Sequence, residues 1–142
     1  MNVRAKKYTV LDHTADLGIE VYGSDLQDLF RNAALALMDL MIKGESKDRA
    51  MSKDISVPAQ DLSDLMVRWL GEILYLFEGD GLVVKDITIT GMDSFTIDAL
   101  VYVTPFDPKS HEILCEIKAV TYHQIQVGNL GDRWEARIIF DL

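Results

Sequence analysis

The sequence contains one cysteine and three prolines, and it has no long apolar run. A single cysteine, Cys115, excludes an internal disulfide and a zinc site built from cysteines. Because Cys115 lies in an apolar, strand-like segment, we expect a buried thiol rather than a nucleophile. No stretch approaches 18 apolar residues, and no apolar segment follows the basic first residues. The sequence therefore predicts a cytoplasmic protein without a membrane span or signal peptide.

Positive charge is also scarce. The chain has 14 Lys and Arg residues against 23 Asp and Glu residues, which gives a formal net charge of −9. Such a surface repels phosphate backbones, so we expect no direct binding of free nucleic acid, and we expect cations or basic protein faces as partners. The sequence also lacks a Gly-rich phosphate loop, a Gly-x-Ser-x-Gly elbow and a His-Glu-x-x-His pair.

Apolar residues recur at helical spacing in two segments. The first predicts a helix over roughly Asp25–Lys43, with Ser24 as its N-cap and Gln27 completing a capping box. The second predicts a helix that begins near Asp61 and ends at Gly79. Each helix has one broad apolar stripe, which is typical of a helix that covers one face of a sheet.

The other regular segments read as strands. They are Lys7–Val10, Gly18–Gly23, Asp54–Pro58, Leu82–Thr90, Ser94–Val103, Ile113–Val127, which bends or breaks once, and Trp134–Phe140. This order predicts one α+β domain over residues 1–142, with two helices packed on a largely antiparallel sheet. A helix preceded by a strand and followed by strands occurs twice, which indicates two related modules that are fused or nested.

One short connection near the start concentrates polar chemistry. Two carboxylates and an imidazole lie within the segment Asp12-His13-Thr14-Ala15-Asp16. A hydrated loop of this kind can hold an ion or a polar ligand. Asp and His also stop strands and cap turns by bonding to local backbone amides, and this structural interpretation stays open.

The chain ends with Asp141 and Leu142, directly after an apolar strand-like segment. Their oxygens can bind Ca²⁺ or Mg²⁺ if another carboxylate approaches. The alternative is a frayed, solvated tail. In the segment 118–123, Lys118 neutralises a carboxylate of the site, contacts an acidic group of a partner, or extends into solvent at a sheet edge. His123 is either a base or ligand or a hydrogen-bonded edge residue.

These segments, in this order, resemble the archease family over essentially the whole chain. The resemblance is carried by Asp12–Ile19, Tyr22–Leu26, Lys118–His123 and Phe140–Leu142. It implies two strand-helix-strand-strand modules, one inserted in the other. It also implies a non-catalytic partner of the RtcB-type ligase of tRNA splicing, which needs GTP and Mn²⁺ and passes through a guanylylated histidine. The partner accelerates guanylylation and permits repeated turnover.

The resemblance further implies a divalent-ion site formed by Asp16, Asp141 and Leu142. Ca²⁺ is the ion we expect, with Mg²⁺ and Mn²⁺ as alternatives. The family's functional lysine corresponds to Lys118.

Three other polar residues could contact the ligands of this site without binding the ion themselves: Asp12, His13 and His123. The stretch 111–116 is more apolar than the family pattern.

The same residues leave other functions open. Asp12, Asp16, Asp141 and His13 could form a small metal-dependent hydrolase or nuclease, in which oxygen ligands and a base activate water. A general chaperone would need an exposed apolar patch. An activator can deliver metal or bias the ligase towards its reactive conformation, and the sequence does not distinguish between these two modes.

Overall fold

A computed structural model describes residues 7–11 and 16–142. The two helices in this part of the chain are α1 (Leu26–Met41) and α2 (Leu62–Glu78). The strands are β1 (Tyr8–Leu11), β2 (Asp16–Gly23), β3 (Ile42–Lys43), β4 (Met51–Pro58), β5 (Leu82–Met92), β6 (Thr96–Pro105), β7 (Glu112–Ile113), β8 (Ala119–Val120), β9 (Gln126–Asn129) and β10 (Trp134–Asp141).

All strand pairs among the described residues are antiparallel. A five-stranded sheet has the order β1-β2-β10, and β8 and β9 pair with successive parts of the other edge of β10. A three-stranded sheet has the order β4-β6-β5, and β3 pairs with β7. The predicted α+β class is confirmed, although the strands form separate sheets rather than one.

The two larger sheets have the same plan. The inner module runs β4-α2-β5-β6, and its last strand, β6, pairs with both β4 and β5. The outer module runs β2-α1-β8/β9-β10, and its last strand, β10, pairs in the same way with β2 on one edge and with β8 and β9 on the other. The inner module lies in the chain between α1 and β8. The modules are therefore nested.

The N-terminus of α1 differs from the prediction by one residue. Asp25, not Ser24, is the N-cap, and its carboxylate accepts a 2.7 Å hydrogen bond from the Asp28 amide. Asp28 accepts in return from the Ser24 amide at 2.8 Å, so Gln27 does not close the box. Asp and Ser are about equally favourable as N-cap residues. The carboxylates of Asp25 and Asp28 both lie at the positive end of the helix dipole.

Helix α2 begins in the same way. Asp61 accepts a 2.8 Å hydrogen bond from the Asp64 amide, and Asp64 accepts from the Gln60 amide at 3.0 Å. Both caps lie in the repeated sequence Asp-Leu-x-Asp-Leu, at 25–29 and at 61–65. A shared local sequence therefore produces the same helix start in each module.

Tertiary pairing changes two other predicted boundaries. Helix α1 ends at Met41 rather than at Lys43, because residues 42–43 pair with β7. Gly44 follows with φ of 103°, and a Cβ there would lie 2.1 Å from the Ser110 carbonyl oxygen. The predicted long strand over 113–127 is divided among β7, β8 and β9.

The helices pack on each other and cover the inner faces of the two larger sheets. The Trp69 indole N–H donates a 2.9 Å hydrogen bond to the Phe30 carbonyl, and both side chains are fully buried. This bond satisfies the polar atom of the largest core side chain and links α2 to α1.

Strand β4 is one edge of the three-stranded sheet. Val57 faces the core opposite Ile97, and the alternation of the strand places Lys53 on the same face, opposite the fully buried Val101. The Lys53 residue is exposed. Near its start, β4 therefore has a charged side chain, Lys53, on the same face that carries the buried Val57 near its end.

Gly23→Ala is expected to destabilise the fold. An added Cβ would lie 2.4 Å from the Leu29 amide nitrogen and 2.6 Å from its Cα, so β2 and α1 would have to separate. Because these atoms are backbone, we expect a loss of about 3 kcal/mol, the upper end of typical overpacking costs. Gly71→Ala is the matched control: it meets no atom within 4 Å and lies inside α2, so it should gain about 0.5–1 kcal/mol. Urea unfolding measures both, and equal effects would contradict this account.

Candidate functional site

The pairing of β2 with β10 brings two distant carboxylates together. The register runs from Trp134 opposite Gly23 to Asp141 opposite Asp16. Directly opposite residues of an antiparallel pair project from the same face, with Cβ atoms about 4.5–5.5 Å apart. Asp16 and Asp141 are therefore neighbours at one end of the five-stranded sheet.

The carboxylates lie on the sheet face that α1 and α2 do not cover. Phe140 and Ile138 belong to the main core, and alternation places Ile139 and Asp141 on the other face. Ile139 is nonetheless only 1% exposed. The acidic pair therefore has a buried apolar residue two positions away on its own face.

Three other charged side chains on this face have partners, whereas these two acids do not. Arg137 forms a 3.2 Å ion pair with Glu20, and the Arg133 guanidinium lies 4.3 Å from the centre of the Tyr22 ring. Within the described residues, neither Asp16 nor Asp141 has a Lys, Arg or His within ion-pair distance. Two like charges directly opposite each other destabilise a sheet unless a cation compensates them.

Lys118 adjoins this pair through the backbone. Its amide donates a 2.8 Å hydrogen bond to the Asp141 carbonyl oxygen, and the next residue, Ala119, pairs with Asp141. The Lys118 side chain is exposed, and no carboxylate of the described part lies within ion-pair distance of its ammonium. The backbones of Lys118, Asp141 and Asp16 therefore lie side by side across three neighbouring segments of the sheet.

A bulge separates β8 from β9. The Thr121 amide and hydroxyl both donate to the Ile139 carbonyl, at 3.0 and 2.8 Å. Gln124 has φ of 53°, in the left-handed region. His123 is fixed by its amide, which donates to the Thr121 hydroxyl at 3.2 Å. Its exposed ring has no hydrogen-bond partner in residues 7–11 and 16–142, so the structure does not bring it to the acidic pair.

Sequence reasoning missed the role of Tyr122 in the same bulge. The Tyr122 hydroxyl donates a 2.7 Å hydrogen bond to Asp64, the residue that closes the cap of α2. Arg68 donates to both oxygens of Asp64 at 3.0 Å. The bulge of the outer module is thus attached to the helix of the inner one. The signal available in the sequence was only that Tyr122 lies beside His123.

This network shifts two pKa values. The hydrogen bond from Tyr122, followed by the bond from the Gln60 amide, lowers the pKa of Asp64. The same bond to Asp64, followed by partial burial, raises the pKa of Tyr122. Both shifts favour the bonded pair of a carboxylate and a neutral phenol.

The remaining predicted site residues are placed as follows. Asp12 and His13 lie outside the described residues. Leu142 follows Asp141 with 45% of its surface exposed. Within the described ranges, no group of three or more His, Cys, Asp and Glu side chains is arranged to hold a metal. This part of the chain thus supplies two adjacent carboxylates.

The fold defines an α+β protein of two nested modules in which the start of β2 and the end of β10 meet at a paired acidic site. The Archease protein family (MTH1598/TM1083) matches residues 8–142, and the chain belongs to this family. It is 34% identical over 146 residues to the protein archease of Methanosarcina barkeri, covering 100% of both chains. It is 37% identical over 135 residues to that of Pyrococcus furiosus, covering 92% of this chain and 95% of the relative.

Solved structures share the fold. The solution structure of Methanobacterium thermoautotrophicum protein 1598 matches with a TM-score of 0.79 and 28% identity, covering 97% of this chain and 100% of that one. The crystal structure of an archease from Thermotoga maritima, described as a possible chaperone, matches with a TM-score of 0.63 and 22% identity, covering 93% and 94%. No helix in the described ranges is long and apolar enough to cross a membrane.

Tyr122→Phe is expected to raise the pKa of Asp64 and to destabilise the protein in a pH-dependent way. A lowered folded-state pKa contributes stability above the unfolded value of about 3.9, and this contribution disappears as the pH falls through the folded value. The variant should therefore be less stable than wild type at pH 6, and the difference should shrink in acid. Carboxylate NMR titration and urea unfolding from pH 3 to 7 test this. Tyr75→Phe, on an exposed face of α2, is the control and should change neither quantity.

Proposed function

We propose that this chain is a non-catalytic partner of an RtcB-type RNA-splicing ligase in tRNA splicing, and that it promotes ligase guanylylation and repeated turnover. The observation that carries the proposal is the arrangement of Lys118, Asp141 and Asp16 across one sheet end in an archease family member. An exposed, backbone-anchored lysine beside an acidic pair presents both signs of charge to a protein partner.

We also propose that Asp16, Asp141 and an oxygen of Leu142 hold a divalent ion, with Ca²⁺ as the expected ion. The donor set fits, because the two opposed carboxylates are hard oxygen donors and lack a cationic partner in the described part of the chain. When bound, the ion supplies positive charge that offsets the repulsion between the strand ends. The residues themselves position Lys118 through the Asp141 carbonyl.

Lys118 acts in this proposal through its position. Its backbone is fixed by the bond to Asp141, while its exposed side chain is available to an acidic side chain or a phosphate of the ligase complex. The net charge of −9 disfavours free RNA as the direct ligand, which supports a role on the ligase protein.

Asp16→Asn and Asp141→Asn should each weaken Ca²⁺ binding roughly ten-fold or more, because fewer charged ligands lower affinity. In the metal-free state each variant should be as stable as wild type or gain about 0.2–1 kcal/mol from relieved repulsion. Calorimetric titration and urea unfolding test both expectations. Asp80→Asn, an exposed acid after α2, is the matched control. Unchanged affinity in both site variants would remove the pair from the ion site, and global unfolding would make it structural.

Lys118→Ala should reduce stimulation of the ligase while leaving stability nearly unchanged, because an exposed side chain acts here by charge rather than by packing. The measurement is single-turnover guanylylation of the ligase with GTP and Mn²⁺, at matched concentrations of folded protein. Lys53→Ala is the control, because Lys53 is exposed on the edge strand of the other module.

The outcomes of these measurements distinguish the activator proposal from its alternatives. Wild-type protein should raise ligase turnover above one and should neither join nor cleave RNA alone. RNA cleavage by the isolated, metal-loaded protein would overturn the activator proposal in favour of a metal-dependent nuclease. Equal stimulation by Lys118→Ala and wild type would remove Lys118 from the mechanism.

A further inference from the structure

A cavity of about 590 Å³ lies at the junction of the two modules. Its walls come from the second half of α1, residues 42–46, the start of β5 and residues 111 and 114. Small-molecule sites typically enclose about 300–1,000 Å³ and combine apolar walls with a few polar groups. None of the residues of the acidic pair at the sheet end contributes to this cavity.

The floor of the cavity is apolar. It is formed by five core side chains that keep 4–7% of their surface exposed: Leu35, Met38, Ile42, Val83 and Val84. Side chains of the same core at the contact between the helices, such as Phe30 and Trp69, are fully buried. The remaining exposure of the floor residues is available for contact with an aliphatic ligand.

His111 places a hydrogen-bond donor in the cavity wall. Its Nδ1 accepts a 2.9 Å bond from the Asp107 amide, so a neutral ring carries its proton on Nε2. The ring stacks on Phe106, with 5.5 Å between centroids, and the residue is 6% exposed. Nε2 has no hydrogen-bond partner among residues 7–11 and 16–142, and His111 lines the cavity, so this N–H is the donor that the ring can offer to a ligand there.

Lys85 adds a positive charge to the same cavity. It lies at the bulge in β5, where the register shifts between Val84 and Asp86. Its ammonium donates to the Ser46 carbonyl at 3.2 Å and is part-buried, which leaves two N–H groups. No carboxylate of residues 7–11 and 16–142 lies within ion-pair distance of this ammonium. A part-buried charge of this kind favours an anionic ligand.

We propose that this cavity binds a small amphipathic monoanion, specifically an aliphatic carboxylate. The carboxylate accepts hydrogen bonds from the Lys85 ammonium and the His111 Nε2–H, and the alkyl chain lies on the apolar floor. Two acids also line the cavity, Asp39, which has a partner of its own, and Glu45, and so does a second lysine, Lys43. With as many acids as lysines, the wall lacks the excess of positive charge that ligands with several negative charges, such as nucleotides, require.

The test is a titration of the ¹⁵N-labelled protein with octanoate, followed by amide NMR. We expect saturable binding, with shifts concentrated at Ile42, Val84 and Leu114. Octanol, which has no charge, and acetate, which has no alkyl chain, should each bind more weakly. Lys85→Met should lower octanoate affinity roughly ten-fold, the effect of one charge-assisted hydrogen bond. Lys53→Met, which removes an exposed lysine outside the cavity, should leave it unchanged.

Three outcomes would overturn the proposal. They are octanol binding as tightly as octanoate, undiminished octanoate binding in Lys85→Met, and shifts spread over exposed apolar residues such as Phe95 and Leu130 without saturation. Circular dichroism of Lys85→Met verifies that the variant folds. The readout is ligand binding alone, so the result is independent of any effect on an RNA ligase.

Discussion

The pairing of β10 with β2 is the constraint on which the other features depend. It joins the last strand to a strand near the start through eight residue pairs. The inner module must therefore fold as an insertion whose two ends return to the same sheet. Strands β8 and β9 belong to this sheet only because they pair with the second edge of β10. The juxtaposition of Asp16 with Asp141 and the anchoring of Lys118 follow from the same register.

The two modules have the same order of elements, so a difference between them at one position cannot be explained by that order. Both begin with an eight-residue strand, followed by a helix with the same Asp-Leu-x-Asp-Leu start. In the outer module the first residue of that strand, Asp16, faces Asp141. In the inner module the position at the same distance before the helix cap, Ser52, pairs with Tyr102. The architecture alone therefore does not require acids there, and their presence in one module indicates a role beyond folding.

Local patterns were sufficient to predict the helices, most strands and the α+β class, because periodicity and capping act over a few residues. They gave the wrong residue where two neighbouring residues could both cap a helix, as at Ser24 and Asp25. They also gave the wrong strand boundaries where pairing with a segment distant in sequence sets the boundary. The double hydrogen bond from Thr121 to Ile139 breaks a segment that reads as one strand, and nothing near Tyr122 indicates its bond to Asp64. The acidic pair was predicted through family resemblance, since sequence spacing does not reveal strand register.

The edge strand β4 has a consequence for self-association. Its outer side is unpaired over Met51–Pro58 within the described residues, and such an edge can template the addition of a strand from another molecule. Lys53 is an exposed charge on this edge strand, and Pro58 lacks an amide hydrogen at the end of the edge. Both features make the addition of a strand from another molecule at this edge unfavourable.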